Sequence, residues 1–231
     1  MKDTSEKIKD CLILFDLDGV ITDSLQPSIN LFYGTFEEDL GLKHDPKFGR
    51  ENWSLSREQV ILLEWGDLIK TGRVSQGQIR AALDHYRQKK LQLDLPLLPH
   101  VADLFFMVSD EFDHIAVVSS NTTAIIEQIL LKAGLRRFVQ KITGIEAVSI
   151  PKPDPAMYRV TAEYFGIPPS RCLVFEDSVI GITAAQGAGM HAVGVLTGSD
   201  TEDQVSVKKP DRIVHDLGEV TMKMIKEVLG I

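Results

Sequence analysis

Leu12-Ile13-Leu14-Phe15-Asp16-Leu17-Asp18-Gly19-Val20 is the stretch that decides the fold. A short run of large apolar residues without polar alternation reads as a strand buried on both faces, the habit of a parallel sheet covered by helices. Two carboxylates then project from the strand's end. Each costs several kcal/mol to desolvate unless a cation or hydrogen bonds compensate, so a chain that places both there has a use for them. A helix cap or an acidic turn is the plainer alternative. A calcium loop does not fit, because Gly19 comes too early and Pro27 stands where the bidentate Glu belongs.

Three later segments end apolar runs with polar chemistry. Ile115-Ala116-Val117-Val118 leads into Ser119-Ser120-Asn121. Pro151-Lys152-Pro153-Asp154-Pro155 is a stiff lysine loop. Cys172-Leu173-Val174-Phe175 leads into Glu176-Asp177. In an open parallel sheet the carboxyl ends of the strands meet at one crevice, where ligands bind. Strands are expected near 11–15, 115–118, 172–175, 191–195 and 212–214. Helices are expected over 122–133, capped by hydroxyls of residues 120–123 and ended by Gly134, and from Asp154 as N-cap with Pro155 first, through 164. A small-residue helix over 181–188 lies close to the sheet. The alternation predicts an α/β fold, a doubly wound, Rossmann-like parallel sheet.

Residues 24–96 follow another rule. Segments 30–40, 57–69 and 76–90 each space apolar residues as helices do, with no strand between them. The expected organisation is an α/β core from 1–23 and 97–231, with an α-helical cap inserted at 24–96. Linkers near 23–27 and 93–99 would form its hinge.

The chain of 231 residues is 44% hydrophobic and 25% charged, ordinary for a globular protein. No apolar stretch approaches membrane-span length and the first residues lack a signal-peptide core, so a cytoplasmic location and no membrane partner are expected. A net charge of −8 argues against nucleic-acid binding. It does not argue against a phosphorylated substrate, since one divalent cation and one lysine reverse the local field. Cys11 and Cys172 open apolar strands as small hydrophobes, with no metal-ligand spacing. Gly187-Ala188-Gly189 ends a helix instead of following the first strand, so the dinucleotide fingerprint is absent.

The order Asp16-x-Asp18-Gly19-Val20-x-x-Asp23-Ser24, Ser119 after a strand, Lys152-Pro153-x-Pro155 and Glu176-Asp177-Ser178-x-x-Gly181-Ile182-x-Ala184-Ala185-x-x-Ala188-Gly189-Met190 resembles the haloacid dehalogenase superfamily. The likeness is to the branch of small-molecule phosphatases and β-phosphoglucomutase, and covers residues 11–23 and 97–231 well. It implies a mobile helical cap and a magnesium-dependent phosphatase (a hydrolase) of a small phosphorylated metabolite. By the same resemblance Asp16 is the nucleophile that forms an aspartyl phosphate, and Asp18 the general acid and base, a role worth about 10²–10⁴-fold in rate. Relatives that dehalogenate carbon lack a carboxylate at the position of Asp18. Mg2+ would be held by Asp16, the Asp18 carbonyl, Asp177 and Glu176, the last directly or through water. Lys152 would neutralise Asp16 and the phosphoryl oxygens, Pro153 biasing it towards extended backbone. Ser119, with N–H groups of Ser120, Asn121, Gly19 and Val20, would bind the phosphoryl group.

Two other functions compete. A phosphosugar mutase is one: Val20-Ile21-Thr22-Asp23-Ser24 resembles its first motif, and Leu55-Ser56-Arg57-Glu58 its cap segment, with Ser54 replacing a glycine. The mutases carry a cap histidine where this chain has Ser28, which favours the hydrolase. The other is a phospho-accepting signalling module without turnover, which is usually shorter and has no helical insertion. Within the cap, Arg57, Trp53, Arg50 and Lys70 are the candidates to face substrate.

Overall fold

The computed structural model describes residues 7–53 and 55–231. The chain runs β1 (Ile8–Phe15), α1 (Leu25–Leu40), α2 (Pro46–Glu51), α3 (Arg57–Lys70), α4 (Gln76–Gln92), α5 (Val101–Glu111), β2 (Phe112–Val118), α6 (Thr123–Lys132), β3 (Lys141–Thr143), α7 (Ala156–Phe165), β4 (Cys172–Glu176), α8 (Val179–Gly187), β5 (His191–Val195), α9 (Glu202–Val207), β6 (Arg212–Val214) and α10 (Met222–Leu229). The strands form one sheet in the order β3-β2-β1-β4-β5-β6, and every neighbouring pair is parallel. This is the doubly wound α/β fold expected from the sequence.

The apolar run in β1 explains the layers. Cys11, Ile13 and Phe15 point into one buried cluster with Phe105 of α5, Ile126 of α6 and Ile225 of α10. Leu12 and Leu14 point into another, with Met157 and Tyr158 of α7 and Ile182 of α8. Burying a Leu, Ile or Phe side chain is worth about 1.5–3 kcal/mol, so β1 anchors both faces. Phe15 stacks on Phe105 and Phe175, at 4.6 and 5.1 Å between ring centroids.

The four helices α1–α4 hold a third cluster of their own. Its centre is Phe32, whose ring meets those of Phe36, Trp65 and Tyr86. Ser56 caps α3 and Ser75 caps α4, each in a reciprocal box with a glutamine three residues on. The chain leaves and re-enters the sheet layer along paired segments: Asp23 N–H donates to Pro96 O, Leu98 N–H donates to Ile21 O, and Thr22 bridges Leu97.

Several local expectations shift. α1 begins at Leu25, not near 30, because Pro27 falls in its first turn, where its missing N–H has no intrahelical partner to lose. α2 and β3 were not foreseen from the sequence; six and three residues are too few to show a period. α7 starts one residue late, with Asp154 accepting from Ala156 N–H at 2.9 Å. The hydroxyls of residues 120–123 do not cap α6: Glu146 reaches back to Thr123 N–H at 2.8 Å instead. Among the described residues no helix is long and apolar enough to cross a membrane.

Candidate active site

β2, β1 and β4 are adjacent, with Phe15 level with Val117 and with Phe175, so the loops after them open at one height. One pocket is lined there by Asp16, Asp18, Gly19, Ser119, Ser120, Asn121, Lys152, Glu176 and Asp177 from the sheet side. Trp53 and Leu55 of the α2–α3 connection, Arg57 of α3, and Tyr86, Arg87 and Lys90 of α4 line it from the opposite side.

Lys152, on the loop before α7, is the hub. Its ammonium donates to Asp16 Oδ1 at 2.7 Å, Glu176 Oε1 at 2.5 Å and Val118 O at 3.4 Å. It also sits 4.8 Å from the centre of the buried Tyr158 ring. Glu176 is saturated: Oε1 also accepts from the Tyr158 hydroxyl at 2.8 Å, and Oε2 from the Ser178 hydroxyl and N–H. Asp177 differs sharply, having no hydrogen bond or ion pair among the described residues. Gly19, at φ +80°, lets the chain pass against it; a Cβ there, or at Gly198, would strike the Asp177 carboxylate.

Asp18 is gripped from the side. Its Oδ2 accepts from Asn121 Nδ2 at 2.5 Å and from Lys90 Nζ at 3.3 Å, while Oδ1 is buried and makes no hydrogen bond of standard geometry. Asn121 thus works through its side chain; its N–H is turned to Ser119 Oγ at 3.2 Å and its Nδ2 shares that oxygen at 3.0 Å. Gly19 N–H is likewise engaged, to Thr22 O at 2.9 Å, so these two N–H groups are not open to a phosphoryl oxygen. Ser119 is buried beside Asp16, and Ser120 lies at the pocket rim.

Of the four cap candidates, Arg57 and Trp53 line the pocket, while Arg50 and Lys70 are exposed elsewhere, Lys70 beside Asp67. The Arg57 guanidinium lies 3.5 Å over the Trp53 ring and one amino group donates to the carbonyls of Trp53 and Leu55. Its other amino nitrogen is buried without a partner. Ser54, the variant position of the cap segment, lies outside the described residues.

The family described as haloacid dehalogenase-like hydrolase matches residues 13–195, a span that holds every one of these sheet-side groups. The chain belongs to that family. Among curated relatives it is 31% identical to a CBBY-like protein of Arabidopsis thaliana, over 83% of this chain and 65% of that protein's length. It is 26% identical to the β-phosphoglucomutase of Bacillus subtilis, over 93% of each, and 28% identical to the fructose-1-phosphate phosphatase YqaB of Escherichia coli, over 79% of this chain and 95% of that one. In three dimensions it is similar to CbbY from Rhodobacter sphaeroides in complex with phosphate. The TM-score is 0.77 at 21% identity, over 95% of this chain and all of that one, a likeness of fold.

In this haloacid dehalogenase-like hydrolase the carboxylates strain against one another. Burial pushes the Asp16 carboxyl from 3.8 up to about 7, Lys152 resisting and Glu176 adding to the rise. Burial, then Glu176 and Asp16, hold Asp177 well above the usual range. Burial works the same way on Asp18, but the Lys90 ammonium, with Ser24 and Asn121, outweighs it and keeps that carboxyl low. Lys152 is held well above its ordinary value because Asp16 and Glu176 overcome the cost of burying it.

Among the described residues no three acidic, histidine or cysteine side chains stand close enough to hold a metal as they are, since Asp16 and Glu176 converge on Lys152. The donor set nevertheless suits a hard dication that keeps several waters: the partnerless Asp177, Asp16, and the Asp18 carbonyl, which accepts no hydrogen bond among the described residues. Glu176, with both oxygens taken, could reach it only through water. A stability test follows from the raised carboxyls. Asp16 keeps its proton to about pH 7 when folded, so its term stabilises the metal-free fold in acid and is lost as pH rises through that value. Asp177 has the same sign. Metal-free protein should therefore melt higher at about pH 5 than at about pH 8 in scanning calorimetry, and Asp177→Asn or added Mg2+ should narrow the gap. A gap unaltered by either would contradict this electrostatic account.

Two important side chains gave no motif signal. Lys90 lies 72 residues from Asp18 in sequence. Its hint was position, since Ala82, Tyr86 and Lys90 fall on one stripe of α4, and a charge does not belong on a buried stripe. Tyr158 sits similarly on the inner face of α7.

Proposed function

We propose that this hydrolase is a Mg2+-dependent phosphatase of a small phosphorylated metabolite, working through a phosphorylated Asp16. The observation that carries the reading is Asp16 Oδ1 held at 2.7 Å by a lysine 136 residues away, in a pocket shared with Ser119. An exposed turn has no use for such a clamp; a nucleophile beside an anionic phosphoryl group does.

The roles follow from the contacts. Asp16 attacks phosphorus, and the ester oxygen leaves with a proton from Asp18. Asp18 then takes a proton from the water that attacks the phosphoryl-aspartate, releasing phosphate and restoring Asp16. Lys152 stabilises the charge on the phosphoryl oxygens, while Glu176 and Tyr158 fix where its ammonium points. Ser119 Oγ and the Ser120 N–H bind the same group. Mg2+, held by Asp16, Asp177 and the Asp18 carbonyl with Glu176 behind a water, would supply the positive charge that lets two anions approach. The helices α1–α4 form the cap over this site, hinged on the paired segments near 22–24 and 96–98. Arg57, with its unpartnered nitrogen in the pocket, is placed to meet an anionic or hydroxyl-rich part of the substrate.

Hydrolysis is favoured over mutase chemistry by Ser28. It occupies the mutases' histidine position, and it is fully buried and outside the pocket lining. Among relatives, YqaB is named a phosphatase of fructose 1-phosphate, a substrate class that fits the cap's polar lining. A panel of sugar phosphates, phosphoglycolate and p-nitrophenyl phosphate, assayed for released phosphate, tests the proposal. Sustained release with Mg2+ and none after chelation is the expected result. Turnover unaffected by a chelator would overturn the metal role, and phosphoryl transfer between sugar positions without release would favour the mutase.

A further inference from the structure

The contact left over by this account is Lys90. It is 3% exposed, at the end of a stripe whose other members are Ala82, Leu83 and Tyr86, and it makes no contribution as an apolar residue. Burying an ammonium is costly unless its partners are well placed. Among the described residues both of its acceptors belong to the sheet side: Asn121 Oδ1 at 2.8 Å and Asp18 Oδ2 at 3.3 Å.

We infer that Lys90 is the positioning residue for Asp18, delivered from the cap, so that the acid–base group is set in its working orientation when α4 is seated. The inference rests on the assignment of Asp18 as general acid and base. An ammonium has donors only, so the Asn121 atom facing it must be the carbonyl oxygen. That choice turns Nδ2 towards Asp18 Oδ2 at 2.5 Å and Ser119 Oγ at 3.0 Å. Asp18 Oδ2 is thereby held from two directions and the carboxylate plane is fixed. Oδ1, buried and without a hydrogen bond of standard geometry, is the oxygen left to exchange a proton once substrate is seated. Remove the ammonium and the Asn121 amide loses what orients it. A flipped amide sets its own oxygen against Asp18 Oδ2, acceptor against acceptor, and the carboxylate turns away. The network joins two loops and a helix: the loop after β1, the loop after β2, and α4 from the cap.

The test is a double-mutant cycle with Lys90→Met and Asp18→Asn, in the full chain with Mg2+. Methionine keeps the length of the stem and suits an apolar stripe, but it leaves the Asp18 carboxylate without its ammonium, so some heat stability is lost and kcat on the folded protein is the deciding readout. On an alkyl phosphate, whose leaving oxygen needs a proton, Lys90→Met should lower kcat at least about tenfold with KM unchanged within about twofold, part of the ~10²–10⁴-fold that acid–base catalysis supplies. Lys90→Arg, which keeps the donors, should recover part of that loss. The doubly substituted protein should be no slower than Asp18→Asn alone, because Lys90 acts through Asp18. Three results would overturn the inference: a raised KM with unchanged kcat, which makes Lys90 a substrate contact; losses that multiply in the double variant; or a lowered melting temperature with normal kcat. Normal turnover by Asp18→Asn is a separate failure, that of the acid–base assignment itself.

Discussion

Asp16→Asn should abolish turnover, by on the order of 10⁴-fold or more, the scale on which loss of a covalent nucleophile acts. The fold should survive. The volume hardly changes, Lys152 keeps Glu176 as an ion-pair partner at 2.5 Å, and the variant removes a carboxylate that burial holds near pH 7. Its melting temperature in metal-free buffer at neutral pH should therefore match or exceed that of the native chain, a trade common where an active site is strained. Circular dichroism melts and phosphate release, measured on the same preparation, check both halves. Retained activity would move the nucleophile elsewhere; a collapsed fold would make Asp16 structural.

Lys152→Met should damage both rate and stability, and the two effects separate by pH. Lys152 is 6% exposed and holds two carboxylates of which Glu176 is 1% exposed. Breaking a buried ion pair by deleting one partner costs about 3–5 kcal/mol, because the other charge stays behind. Deleting a donor aimed at developing phosphoryl charge costs about 10²–10³ in kcat. Acid should return much of the stability, as Asp16 is protonated more readily without its lysine, but none of the rate. A loss of rate that acid restores along with stability would show a scaffold role only. In the sheet-side frame, no other single substitution is expected to act on both quantities so strongly.

Asp16 and Glu176 were legible because each stands where a strand pattern stops. The run 12–15 ends at Asp16 and the run 172–175 at Glu176, and a parallel sheet carries such ends to one edge whatever the distance between them in sequence. Lys152 came from its flanking prolines and the family resemblance. The sheet order, with β1 between β2 and β4, was not read from the sequence, because apolar runs mark buried strands without saying which are neighbours. What could not be read were contacts that depend on docking between layers. Lys90 reaches Asp18 only because α4 packs over the loop after β2, and no local period encodes that. The N–H groups of Gly19 and Asn121 were expected to face phosphate; each is spent on a turn within a few residues, to Thr22 O and Ser119 Oγ. Turn hydrogen bonds of that kind depend on backbone angles that residue type constrains weakly. Glu146, capping α6 from across a loop, was hidden for the same reason.

The covalent role of Asp16 is the claim from which the other assignments hang. Rapid quenching of a Mg2+-dependent reaction in acid, reduction with borohydride, and peptide mass spectrometry would read it directly. An acyl phosphate on Asp16 is reduced to homoserine at position 16, in an amount that rises within the first turnover, and that is the expected product. Reduction at any other carboxylate, or phosphate released at full rate with residue 16 unmodified at every quench time, would contradict the account.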